Sequence, residues 1–441
     1  MDLLGTFRGI SFFILLVFTT GCAQSLLHKK DYHTSLQAHY EGHPATALHH
    51  FPTGEANSFI ATMEQTYLKL LQGDPDIDAL QKYAYAIEDR VRYDVSREAK
   101  SFFYLRTPED YYVSEHEIIW LHFLLSWGYS LRGEQEKGCI EARKSAHLLS
   151  YTWSEEGHFD DPAMRIFLAG LWALCGSWED AQVDFRAAWE LDHSLHWAKE
   201  LGDMMTPPKD LVVALGGVGP IPYWQPELGL NPIRSGRKVL FLFKGRKNPL
   251  QLADKNRVMI KTYMTPDSRA WYERHLIRDN SIQDLILDSH YGKDVITQTG
   301  IASARIITVT TVGLAYGIVG TALGGLIVYV GLHGNSGELV TFGAGIAIAG
   351  IKKGADIAKK GTRRSVRDME ERLDPSKNYR FVRFLPEYFW VAWDEEGLTY
   401  PLSARLKTSR KTIPQPTVKG TPNVSIIHFS DVSETYSTLW R

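Results

Sequence analysis

Residues 174–194, LCGSWEDAQVDFRAAWELDHS, decide how the first half of this chain is read. Gly176 stands where two helices would turn, and Trp178, Ala181, Phe185 and Ala188 follow at helical spacing. Upstream, Leu168, Ala169 and Trp172 fall on the face a preceding helix would bury against them. Glycine lets the chain reverse, and alanine at a crossing point lets two helices approach closely. Phe185 then fills the gap between neighbouring pairs.

Working outward, weaker copies of this pattern precede it. Leu125, Tyr129, Gly133 and Gly138 share the same offsets, as do Gly42, Ala47 and Phe51. A recurring helix–turn–helix unit implies stacked pairs, and the spacing is that of a tetratricopeptide-like repeat domain over residues 35–206. Such stacks offer a concave surface and usually bind other proteins rather than catalyse. Ser114 and Glu117 have the spacing of a capping box and mark a firm helix start.

After the proline-rich step at 206–210 the pattern changes to short apolar runs, and residues 207–441 read as an α+β domain. LVVALGGVGP (211–220), RKVLFLFKG (237–245) and RVMIKTYM (257–264) read as strands. The glycine turn at 216–219 lacks a following Lys-Ser/Thr pair, so it is not read as a nucleotide loop. A helix is expected from Pro266, at its first position, with Asp267 in the first turn. YRFVRFLPEYFWVAW (379–393) and LTYPLSARL (398–406) read as a hairpin turning at Gly397, and VSIIHF (424–429) as a further strand. These late strands are expected to pair with those before residue 265 into one sheet, the intervening helices being an insertion in, or a cover for, a single α+β domain.

Inside that half lies an uncharged run from Ile306 to Leu332, long enough to span a bilayer as a helix. Gly313, Gly317, Gly320 and Gly324 recur at steps of three and four and present one bare face. Gly343 and Gly350 do the same in a second helix, so residues 301–361 read as a glycine-rich helical hairpin. Bare backbone invites close packing, and three placements follow: a single membrane span, a hairpin dipping into a bilayer, or a hairpin outside lipid, buried against the sheet or against copies of itself.

The N-terminus reads as targeting. Arg8, the apolar stretch 10–20 and Gly21-Cys22 suit a signal peptide over 1–21, with Cys22 as a lipid attachment site and 22–34 as a linker. Thr19 departs from the usual leucine, and Ala23 favours the outer membrane. In an oxidising periplasm Cys139 and Cys175 are free to bridge, or to remain two buried thiols. The chain has 49 Lys+Arg against 51 Asp+Glu, a net charge of −2, which argues against a nucleic-acid binder. No motif calls for a cofactor or metal. His116 and His122 are six apart rather than four, and Asp160 or Asp161 beside His158 suits a helix cap.

Cys22, the segment YYVSEHEIIWLHFLLSWGYSLRGE (111–134), the segment 157–189 and the turn GGVGP (216–220) together resemble a family of uncharacterised bacterial lipoproteins. That resemblance implies helical repeats and a glycine-rich C-terminal part, with no established activity. The expected function is a non-enzymatic, lipid-anchored envelope scaffold that binds unidentified envelope proteins through its helical repeats. Its hairpin would serve oligomerisation or membrane contact. A hydrolase of an envelope polymer, using carboxylates and histidines at 115–122 or 156–161, is one alternative. A pore or export component is the other.

Overall fold

The computed structural model describes residues 29–52, 59–94, 105–106, 112–150, 160–224, 239–244, 248–277, 382–406, 409–416, 420–429 and 435–440, with isolated positions between 352 and 360. Cys22, His158 and the glycines of 301–361 lie outside these residues. The chain divides into two units, one of residues 1–23 and 280–378, the other of 24–279 and 379–441.

The second unit is a mixed α+β structure. Its helices come in pairs: α1 (Lys29–Tyr40) with α2 (Pro44–His49), α3 (Phe59–Leu70) with α4 (Asp78–Asp94), α5 (Glu115–Leu131) with α6 (Gln135–Leu149), and α7 (Pro162–Leu174) with α8 (Trp178–Leu191). A short α9 (His196–Asp203) packs on α8. Each pair turns at a glycine of positive φ, at Gly42, Gly73, Gly133 and Gly176. Residues with a Cβ avoid that conformation, which is why glycine recurs at the turns. The repeat positions Leu168, Ala169, Ala181, Phe185 and Ala188 are fully buried, and Trp172 and Trp178 nearly so. Asp161 caps α7, its Oδ1 accepting from the Ala163 and Met164 N–H groups at 2.9 and 3.2 Å. Cys139 and Cys175 form a disulfide that ties α6 to the end of α7, settling the choice the sequence left open.

Helix α7, PAMRIFLAGLWAL, is apolar apart from Arg165, whose charge is met by Asp160 and Asp184, and a helix so largely apolar must be enclosed. It meets α5, α6 and α8 on one side and strands β3, β9 and β12 on the other. Gly170 permits the approach to β3: a Cβ there would meet Val213 Cγ2 at 3.0 Å.

After the short pair β1 (Leu105–Arg106) and β2 (Tyr112–Val113), the strands are β3 (Asp210–Gly216), β4 (Val218–Trp224), β5 (Val239–Lys244), β6 (Gln251–Ala253), β7 (Met259–Ile260), β8 (Tyr263–Met264), β9 (Tyr388–Asp394), β10 (Leu402–Leu406), β11 (Ser409–Ile413), β12 (Asn423–Phe429) and β13 (Thr435–Trp440). They build sheets of order β12-β3-β9-β8, β11-β10-β6-β7 and β13-β5-β4. In the first, β12 runs parallel to β3, while β9 is antiparallel to both β3 and β8. Late strands do pair with strands before residue 265, but in three sheets rather than the one expected, because each early strand offers its edges to different late partners. Helix α10 (Arg269–Ile277) lies between β8 and the departure of the chain toward residue 280.

Three local expectations are corrected. Strands β9 and β10 are not a hairpin: both edges of β9 are taken by β3 and β8, so β10 joins the other sheet. Gly397, at φ +103, still turns the chain, with Asp394 Oδ1 accepting from its N–H at 2.7 Å. The run 257–264 is two strands in two sheets, β7 and β8, rather than one. The helix expected from Pro266 starts at Arg269, because the Ser268 and Thr265 N–H groups are bonded to the Glu387 and Phe389 carbonyls. Among the described residues no helix is long and apolar enough to cross a membrane.

Candidate functional site

Where the chain returns from residue 378, it enters the body as an extended stretch, 382–387, before becoming β9. Its apolar side chains Val382, Phe384 and Leu385 are buried, and its main-chain polar groups must then find partners inside the protein. Side chains from distant helices satisfy them. Glu117 Oε1 accepts from the Val382 N–H at 2.8 Å, and Glu64 Oε1 from the Arg383 N–H at 2.9 Å. The Tyr272 hydroxyl donates to the Pro386 carbonyl at 2.7 Å and receives the Trp120 indole N–H at 3.0 Å. Gly219 N–H donates to the Leu385 carbonyl, and Glu387 N–H to that of Gly216.

The outgoing stem is fastened equally. Trp271 and Tyr272 of α10 are fully buried, and Ser268 just before it bonds Asp161 Oδ1 at 3.0 Å.

Glu117 also closes the start of α5, its Oε2 accepting from the Ser114 N–H at 2.9 Å, as the capping spacing predicts. His116 is fully buried with Nδ1 3.1 Å from Ser114 Oγ, and burial lowers its pKa to about 3. His122 faces Glu141 at 2.6 Å, away from both. Asp160 binds Arg165, which also reaches Asp184 at 2.6 Å, and Asp184 takes the Trp172 indole N–H at 2.8 Å. Those of the residues suggesting a metal or a hydrolase that are described, His116, Glu117, His122, Asp160 and Asp161, thus make separate polar contacts. Among the described residues, no group of three or more His, Cys, Asp or Glu is placed to hold a metal ion.

Several members of the seat escaped the sequence reading. His39 of α1 stacks on Phe384 at 4.2 Å and on His428 of β12 at 5.0 Å, with Tyr67 edge-on to both imidazoles. No ring nitrogen of the two histidines makes a hydrogen bond of good geometry. Burial, then the Lys411 charge, lowers the His39 pKa to about 3, and burial holds His428 well below its ordinary value. Lys411, itself lowered to about 8 by burial, donates to the His428 carbonyl. Tyr32 donates to Glu64, whose carboxyl burial raises to about 7. The visible signal was a single carboxylate in FIATMEQTYLKL and two charges in FVRFLPEYFW, each marooned in an apolar run.

Chemically this is a seat of neutral rings and committed carboxylates, suited to gripping a backbone. The chain matches no family model, no curated protein and no solved structure.

Proposed function

We propose that this chain is a lipid-anchored cell-envelope protein whose braced body presents its glycine-rich segment, residues 301–361, for contact with a second copy or with the membrane. The observation that supports this reading is that the described residues nearest that segment in the chain, Trp271 and Tyr272 of α10 and residues 382–387, are buried and bonded to distant helices of their own unit. The Cys139–Cys175 bridge supports an exported location, since disulfides persist in oxidising compartments. Lipidation at Cys22, the outer-membrane address and the hairpin itself rest on the sequence.

The four helical pairs with glycine turns support the tetratricopeptide-like reading over 35–206, and with it a protein-binding role. The face available differs from that of an open repeat stack. Helices α5 and α7 are enclosed, α7 by the chain's own strands, so a partner would meet α6 and α8, where Ile140, Val183 and Leu191 are exposed. The enzyme alternative draws little support here, because His116 and Glu117 are sealed from solvent.

The test is in-cell crosslinking and size in detergent. Gly317→Leu, Gly320→Leu and Gly324→Leu together should abolish self-association or vesicle retention, and Val183→Asp should abolish crosslinks to an envelope protein. If neither substitution set alters any crosslink, size or retention, the proposal fails.

A further inference from the structure

The helical pair α1–α2 meets the rest of its unit through an aromatic joint. Ser35 Oγ donates to the Ala47 carbonyl at 2.6 Å, which ties α1 to α2, and α2 packs on α3. Across the joint, Tyr32 donates to Glu64 of α3 and stacks on Phe384 at 5.8 Å. His39 stacks on Phe384 at 4.2 Å and on His428 of β12 at 5.0 Å, with 18° between the two imidazole planes. One imidazole thus lies on each side of the joint. Because α1 and α2 precede every other described element, they can lift away without unthreading a strand.

Rings this close and this parallel fit only while uncharged, since a proton on each would set two like charges face to face in a buried site. Among the described residues no carboxylate pairs with either ring. The groups around them do not supply one. Strand β11 brings the Lys411 charge, which opposes a charge on both imidazoles. Helix α3 brings Tyr67, kept neutral by burial, and Glu64, which is taken up by Tyr32, the Arg383 N–H and the Arg383 charge. What favours a charge on His39 or His428 is a main-chain carbonyl, of Phe384 and Gly217 respectively. A neutral dipole does not offset a buried ion, so a charged ring must reach water.

We infer that α1–α2 is an acid-released clasp: protonation of His39 and His428 undocks the pair from α3, β12 and residues 382–387, while the disulfide-bridged helices α6 and α7 stay folded. The clasp works within this unit and does not depend on what residues 301–361 contact. Both imidazoles are lowered from 6.5 in the closed form, so closure is complete above that pH and is lost below it. Glu64 works against them: raised to about 7 when closed, it gives up a proton on opening at any pH down to 4.5. Opening therefore takes up one net proton from pH 6.5 to 4.5 and two below 4.5. The opening constant should rise about 10-fold per pH unit in the upper range and about 100-fold per unit in the lower.

The test is amide hydrogen exchange of the full chain as pH falls, read as protection corrected for the intrinsic rate. Helices α1 and α2 should lose protection with those two slopes while α6 and α7 keep theirs. His39→Phe and His428→Phe each retain a ring in the stack. Each alone should flatten the upper range and leave about 10-fold per unit in the lower, and together they should abolish acid opening. The single variants keep the test valid should the double variant fail to fold. Glu64→Gln should steepen the upper range to about 100-fold per unit. His33→Gln, on the exposed side of α1, should change nothing. Equal loss of protection in α6 and α7, constant protection of α1 and α2, or slopes unaltered by either single phenylalanine variant overturns the clasp.

Discussion

At the scale of single residues, Glu117 shows how one side chain can close two gaps. One oxygen completes the start of α5 and the other receives the N–H of Val382, 265 positions later in the chain. Glu117→Ala would leave two buried donors unsatisfied, each costing about 1–3 kcal/mol. Urea unfolding should therefore show a loss of roughly 2–5 kcal/mol. A change below about 0.5 kcal/mol, the size of an ordinary surface substitution, would mean the brace is not needed.

The stacked imidazoles make a pH statement of the same kind. His39 titrates near 3 in the fold against 6.5 in an open chain, so the fold favours the neutral ring. Stability from this group is complete above about 6.5 and falls as pH drops toward 3, with His428 acting in the same direction. Glu64 works oppositely: raised to about 7 by burial, it contributes fully below 4.5 and loses that contribution as pH rises through 7. His39→Phe keeps a ring against Phe384 and removes one acid-linked loss. The unfolding midpoint of this variant should fall less steeply between pH 6.5 and 4 than that of the parent chain. Parallel curves would refute the coupling.

Among elements, α7 and β3 set the tolerance of the whole. Gly216, at the end of β3, has Trp390 and Tyr388 where a Cβ would sit, at 2.5 Å from each. Two buried rings cannot both retreat, so Gly216→Ala should cost about 1–3 kcal/mol by overpacking. Gly176→Ala, with open space but φ +92, should cost about 1–2 kcal/mol through backbone conformation alone. Thermal denaturation of the two, with crystal structures, would separate the causes: side chains near residue 216 should shift, while those near 176 should not. The disulfide between α6 and the end of α7 closes a 36-residue separation. Cys139→Ser with Cys175→Ser should lower stability by roughly 2–4 kcal/mol, measured by denaturant titration of oxidised parent and variant. Equal midpoints would show the bridge to be dispensable.

For the whole molecule, α helices and strands far apart in sequence belong to one body, from which residues 280–378 depart and to which they return. The reading at 35–206 and 207–441 followed a change of local pattern: the run of paired helices gives way after α9, which ends at Asp203, to β3, which begins at Asp210, although β1 and β2 precede that point and α10 follows it. A pattern change marks a change of element, while tertiary contact decides whether the two sides share a core. Phe167 of α7 stacks on Phe389 of β9 at 5.2 Å, across that boundary.

What the sequence determined by itself is whatever depends on near neighbours. Glycine turns, the caps at Ser114 and Asp161, the burial of Ala181, Phe185 and Ala188, and most strand positions follow from local backbone and periodicity. The glycine hairpin, the lipid site and the repeat family remain sequence readings. Only the tertiary structure decided that β9 and β10 separate into two sheets, because each strand's partners come from elsewhere in the chain. Only it made Glu64, His39 and His428 members of one seat. Their pairing depends on register and on long-range burial, neither of which is written into any short window of residues.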